Sequence, residues 1–139
     1  MKRGYKENIE KLTLENKDFR RVLYTAENIQ LVLMSLKPGQ DIGVETHPDN
    51  DQFFRFEAGE GRVFVDGTSY EVGDGDTVII PKGSAHNVLN MRNKKDLKFY
   101  TIYAGQNQKD GIVRETKEEA MRDEEKFDGV TTEKKKKKI

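Results

Sequence analysis

Cysteine is absent from the 139 residues. That removes disulfides, thiolate metal sites and thiol nucleophiles together, and it fits a reducing cytosol. Net charge is absent too, because 25 Lys and Arg balance 25 Asp and Glu. No overall field therefore steers the chain toward nucleic acid or an acidic membrane surface. No apolar run approaches the roughly 18 residues that a membrane helix needs, and Met1 to Glu10 are polar and charged. The expectation is a soluble, cytoplasmic protein with no nucleic-acid or membrane partner. Neither a P-loop nor a G-x-G-x-x-G follows any β-rich run, which argues against the usual nucleotide folds.

What is present is 34% apolar residues, enough for one domain with a modest core. Three stretches differ in character. Residues 1–27 form a mixed lead-in segment whose anchors are Leu12, Leu14, Phe19, Val22, Leu23 and Tyr24. Residues 28–113 carry short β-rich runs separated by Gly, Pro, Asp and Asn. These runs are Asn28 to Leu36, Ile42 to His47, Gln52 to Glu57, Arg62 to Val65, Ser69 to Val72, Thr77 to Ile80, His86 to Leu89 and Leu97 to Ala104. Such a series predicts an all-β fold with strands closed into an antiparallel sandwich. Asp66-Gly67 is the strongest hairpin signal. Residues 114–139 hold nine Lys or Arg and eight Asp or Glu. Thr116 to Phe127 are expected to form one exposed helix, and the lysines at 134–138 a solvated tail.

Only two histidines occur, His47 and His86. Glu45 and His47 stand two apart on an expected strand, so their side chains project from one face. Pro48-Asp49-Asn50-Asp51 makes a tight connection, and an antiparallel return brings Gln52 back near His47. Gln52 shares its face with Phe54 and Phe56, the composition of a ligand pocket with a polar mouth. By the same parity Phe99, Thr101 and Tyr103 face inward, while Arg55 sides with Phe53 and Glu57, away from Gln52.

Two spacings carry a family resemblance. Gly39, five residues, Glu45, one, His47, four, Gln52, six and Gly59 follow the spacing of the first cupin motif, with two residue types changed. Gly75, five residues, Pro81, one, Gly83, two, His86, three and Asn90 match the second motif throughout. The stretch from Gln30 to Ala104 resembles a small single-domain cupin. The resemblance implies a double-stranded β-helix (a jelly-roll barrel), often a homodimer, with one divalent transition metal near a mouth of the barrel. It places the ligands at Glu45, His47, Gln52 and His86, a donor set that suits Zn, Mn, Fe, Ni or Co. The alternative is a degenerate cupin with an empty polar pocket. The same four residue types bind zinc in type I phosphomannose isomerases, which the set therefore resembles, with glutamine and glutamate exchanged in order.

With both histidines given to the metal and only Ser35, Ser69 and Ser84 as serines, a Ser-His-Asp hydrolase lacks its base. A metal held by one carboxylate favours a chelating, oxygen-rich small molecule. The favoured chemistry is isomerisation of a sugar or hydroxy-ketone, with Asp51 as the candidate catalytic base; its plainer reading is a turn residue that holds the loop. A metal-dependent dioxygenase and a non-catalytic binding protein are the alternatives. An inward basic residue to receive a phosphorylated substrate is not apparent.

Overall fold

The computed structural model describes residues 3–92 and 94–137. Its elements run α1 (Ile9–Glu15), β1 (Arg20–Thr25), β2 (Ile29–Leu36), β3 (Gln52–Ala58), β4 (Glu60–Val65), β5 (Thr68–Gly73), β6 (Thr77–Ile80), β7 (His86–Asn90), β8 (Leu97–Ala104), β9 (Val113–Arg114), α2 (Lys117–Arg122) and α3 (Thr132–Lys137). Two antiparallel sheets form. The larger has the order β6-β3-β8-β2-β1-β9 and the smaller β5-β4-β7. This is the expected all-β, double-stranded β-helix arrangement, except that hydrogen bonding does not close the two sheets into one barrel.

The run 42–47, expected as a strand, is not one. Gly43 takes φ +89°, a left-handed turn that breaks the extended backbone. The segment instead touches β7 at isolated points, Asp41 opposite Leu89 and Glu45 opposite His86. The Glu45 and His86 amides and carbonyls exchange hydrogen bonds of 2.9 Å in both directions.

Period-two patterning sets which faces meet. Along β8, Leu97, Phe99, Thr101 and Tyr103 are buried, and along β3, Gln52, Phe54 and Phe56 are buried. Phe54, Phe56 and Phe99 pack with ring centroids 5.1–6.2 Å apart. Each such ring contributes roughly 2 kcal/mol by leaving water, with a further gain from edge and offset contacts. Val63, Val72 and Val88 supply the opposing sheet's share of the same core. Asp66 and Gly67 both have positive φ, 46° and 86°, and join Val65 to Thr68 across the expected two-residue hairpin.

The chain outside the motifs contributes more than expected. Residues 20–25 form β1, which pairs with β2 from Arg20↔Met34 to Thr25↔Gln30. The expected helix from Thr116 to Phe127 is shorter: Thr116 caps it by accepting from Glu119 N–H at 3.1 Å, and it stops at Arg122. Beyond it the chain runs extended, because Phe127 N–H reaches Asn107 O at 3.3 Å and Lys126 bridges to Gln108. The lysine run from Lys134 to Lys137 is helical, and Lys138 lies outside the described residues. Its helix is pinned through Thr132, whose Oγ1 accepts from Thr25 N–H at 2.8 Å, and through Glu133, whose Oε1 accepts from Gly4 N–H at 2.8 Å.

Candidate metal centre

The break at Gly43 leaves the parity of Glu45 and His47 intact. The ladder contact at Glu45↔His86 then sets His86 across from them. One ligand atom from each of Glu45, His47 and His86 lies within 4.8 Å of the others, and the two imidazole centroids are 5.3 Å apart. This group can hold a metal ion.

His86 is 2% exposed and opens β7. Its Nδ1 lies 3.1 Å from Ser84 O. A carbonyl only accepts, so Nδ1 carries the proton and the Nε2 lone pair is free. Burial lowers its pKa, only partly opposed by the Ser84 carbonyl, which keeps the ring neutral and ready to ligate. Its Nε2 is buried and has no hydrogen-bond partner among the described residues.

Gln52 is 3% exposed and opens β3. Its Nε2 donates to Thr101 Oγ1 at 2.9 Å, which turns Oε1 the other way. That Oε1 is also buried without a partner among the described residues. An unpaired buried acceptor costs about 1–3 kcal/mol. The unpaired His86 acceptor, grouped with the Glu45 carboxylate and the His47 imidazole, fits a divalent cation, and donors of this kind suit a borderline transition metal.

The remaining two residues are already engaged with each other. His47 Nε2 lies 3.0 Å from Glu45 Oε2, and Asn107 Nδ2 donates to His47 Nδ1 at 3.1 Å. Burial acts to raise the Glu45 carboxyl, but the His47 hydrogen bond and the Arg20 charge outweigh it and hold the pKa below its ordinary value. Tyr103 stands edge-on to His47, with centroids 5.4 Å apart. Burial, with the Glu45 charge, pushes its phenol up to about 12, so the hydroxyl keeps its proton.

Asp51, the candidate base, is engaged in the loop. It is exposed, and its Oδ1 accepts from Lys82 N–H at 2.8 Å, fastening the turn before β7. Arg55 pairs with Glu57 at 2.8 Å, on the face opposite Gln52.

Two functional neighbours gave no motif signal. Asn107 follows β8 in a polar loop. Arg20 sits on β1, 7% exposed, with Nη2 3.6 Å from Glu45 Oε1. The alternation of Arg20 and Val22 about Arg21 is the clue that would have turned it inward. It is the inward basic residue that the β-rich runs lacked. The cleft outside the cluster, about 300 Å³, is lined by Arg20, Glu45, His47, Asn107, Met121 and Glu124 among others. The charged C-terminal stretch therefore forms one wall of the site. A larger cleft of about 530 Å³ lies away from the histidines, between β1, β2 and α3.

A family profile described as the cupin domain matches residues 32–103. The uncharacterized protein YrkC of Bacillus subtilis (strain 168) is 42% identical over 120 residues, which are 82% of this chain and 64% of that protein. The uncharacterized protein L612 of Acanthamoeba polyphaga mimivirus is 43% identical over 103 residues, 72% of this chain and again 64% of that protein. The chain thus spans somewhat less than two thirds of the length of both relatives. The crystal structure of BH2720 from Bacillus halodurans is 42% identical, with a TM-score of 0.84 over 87% of this chain and 96% of that one.

Proposed function

This chain belongs to the cupin family, and we propose that it is a metal-dependent cupin acting on a small oxygen-rich metabolite, with isomerisation of a sugar or hydroxy-ketone as the favoured chemistry. The observation that carries the reading is the grouping of His86, whose buried Nε2 has no hydrogen-bond partner among the described residues, with Glu45 and His47 within 4.8 Å. In this reading Glu45, His47, Gln52 and His86 hold one divalent transition metal. A bound ion of this kind supplies Lewis-acid polarisation of a ligand carbonyl or hydroxyl oxygen.

The protein's own groups have distinct parts. Ser84 O fixes the His86 tautomer, and Asn107 orients His47. Tyr103, kept protonated, offers a hydrogen-bond donor at the floor and not a base. Asp51 is read as the anchor of the turn, since its carboxylate is spent on Lys82 N–H. That contact favours a second reading, ligand binding without turnover. A homodimer and a cytoplasmic location belong to the same proposal, and light scattering of the purified protein tests the first.

No described helix is long and apolar enough to cross a membrane. The reading expects purified protein to take up about one Co(II), Mn(II) or Zn(II) per chain. It also expects deuterium to enter a ketose or hydroxy-ketone from D2O in the presence of the loaded protein. Metal uptake without exchange assigns the binding reading. Oxygen consumption coupled to substrate loss assigns a dioxygenase, and no uptake of any of these metals removes the metal-dependent readings together.

A further inference from the structure

Arg20 is unusual among the charged side chains facing the cleft. It is held on β1, whose backbone pairs with β2 on one side and β9 on the other, at Arg20↔Met34 and Arg20↔Arg114. The side chain is 9% exposed, and its Nε is buried with no hydrogen-bond partner among the described residues. The guanidinium carbon lies 5.4 Å from the Phe19 ring centroid, which occupies one face and leaves the donor edge free.

Its acidic neighbour does not use it well. Glu45 Oε1 is 3.6 Å away, beyond the roughly 2.7–2.9 Å of a charge-assisted hydrogen bond. Glu45 Oε2 is taken by His47 at 3.0 Å. A pair built only to neutralise two buried charges closes to bonding distance and satisfies its donors. Arg20 instead lines the cleft that His47 and Asn107 also line. The other charged groups at that cleft, Glu124 and Lys126, are exposed at the rim and of opposite sign.

We propose that Arg20 is the specificity residue of the site and takes the carboxylate of a small hydroxy- or keto-acid, whose neighbouring oxygen then faces Glu45, His47 and His86. The inference rests on the metal-dependent reading above and names the substrate class within it. A carboxylate matches two parallel guanidinium donors, and a cleft of about 300 Å³ admits a ligand of a few carbons. The single buried cation suits a carboxylate better than a phosphate, which draws several basic groups.

The test is calorimetric titration of the full chain, loaded with Co(II), with glycolate and pyruvate and, in parallel, with uncharged dihydroxyacetone. The acids should bind at least about ten-fold more tightly than the ketone, as expected for hydrogen bonds to a charged group. Arg20→Met should erase that preference, the acids falling to the affinity that dihydroxyacetone shows on the same cobalt-loaded variant. Arg20→Lys, which keeps the charge and loses the fork, should retain part of it. Should the methionine variant not fold, the wild-type preference and the lysine variant decide. No preference in the wild type, or an unchanged preference in Arg20→Met, overturns the assignment. A wild type that binds no cobalt overturns the metal reading instead. In that case an acid preference of the metal-free chain that disappears in Arg20→Met still upholds the role of Arg20.

Discussion

His86 and Gln52 are 2% and 3% exposed and stand on strands with regular pairing, β7 along β4 and β3 between β6 and β8. The side chains of Glu45 and His47 are 25% and 13% exposed and stand on a segment that meets β7 only at isolated bridges. The deep pair stands on regular strands and leaves Nε2 and Oε1 without partners among the described residues, whereas the shallow pair is engaged with itself and with Asn107. Each half meets a different cost. The floor carries acceptors without partners among the described residues, which an ion would relieve in the proposed metal reading. At the rim an ion must replace an existing histidine–carboxylate contact. Under the proposed metal reading, affinity would come from the floor, and adjustment to ligand from the rim.

The largest effect is expected on the floor. Metal at a hundredfold excess over its Kd should stabilise the wild type by about 2.7 kcal/mol, raising Tm by roughly 10 °C. His86→Leu should abolish that rise. The metal-free variant should stay within about 1 kcal/mol of the metal-free wild type, because losing the partnerless Nε2 offsets losing the bond to Ser84 O. Calorimetric melting with and without Co(II) measures both quantities. A metal-free variant that melts far below its parent would show that His86 is a structural residue, which breaks the contrast.

At the rim the expected loss is smaller. Asn107→Ala removes the donor that orients His47 and should weaken Co(II) binding about 10–100-fold, with the melting temperature of the metal-free protein nearly unchanged. An unaltered affinity would mean that the rim is held by the backbone bridge at Glu45↔His86 alone. That result would make the two halves equally rigid.

Much of this contrast is legible in the sequence, and the parts that are not share a physical cause. The second motif placed His86 because Gly75, Pro81 and Gly83 dictate local turns, and turns are written in adjacent residues. Pleat parity placed Gln52 with Phe54 and Phe56, and Thr101 with Phe99 and Tyr103, because β3 and β8 are regular. Parity also put Glu45 beside His47, although the strand behind that inference is broken at Gly43. What escaped was long-range. Arg20 lies 25 residues before Glu45 and Asn107 lies 60 after His47, and nothing near either residue announces the contact. The C-terminal stretch was too poor in Leu, Ile, Val and Phe to advertise a docking face. It docks through Ala120, 4% exposed, and through ion pairs and backbone bonds that composition does not reveal.

The smallest effect concerns the tether of the shallow wall. Asp41 Oδ1 pairs with Lys117 Nζ of α2 at 2.6 Å, and Oδ2 accepts from Asn87 Nδ2 of β7 at 2.8 Å. These contacts tie the segment leading to Glu45 both to the strand that bears His86 and to the C-terminal wall. The Asn87 hydrogen bond, followed by Lys117, holds the Asp41 carboxyl below its ordinary value of 3.8. A lowered carboxylate pKa adds stability that is complete above the unfolded value and is lost as pH falls through the folded one. The contribution is therefore constant near neutrality and disappears only below about pH 3.8. Since the Asp41 side chain is 36% exposed, solvent screens the pair, and Asp41→Asn should cost the metal-free protein roughly 0.5 kcal/mol at pH 7. The gap between variant and parent should narrow at acidic pH and in high salt, as read by denaturant titration. A gap that is constant across pH would mean that Asp41 titrates alike in the folded and unfolded chains, and would remove the tether. A gap above 2 kcal/mol, a threshold of roughly twice the upper range for exposed pairs, would show the shallow wall to be as firmly built as the floor.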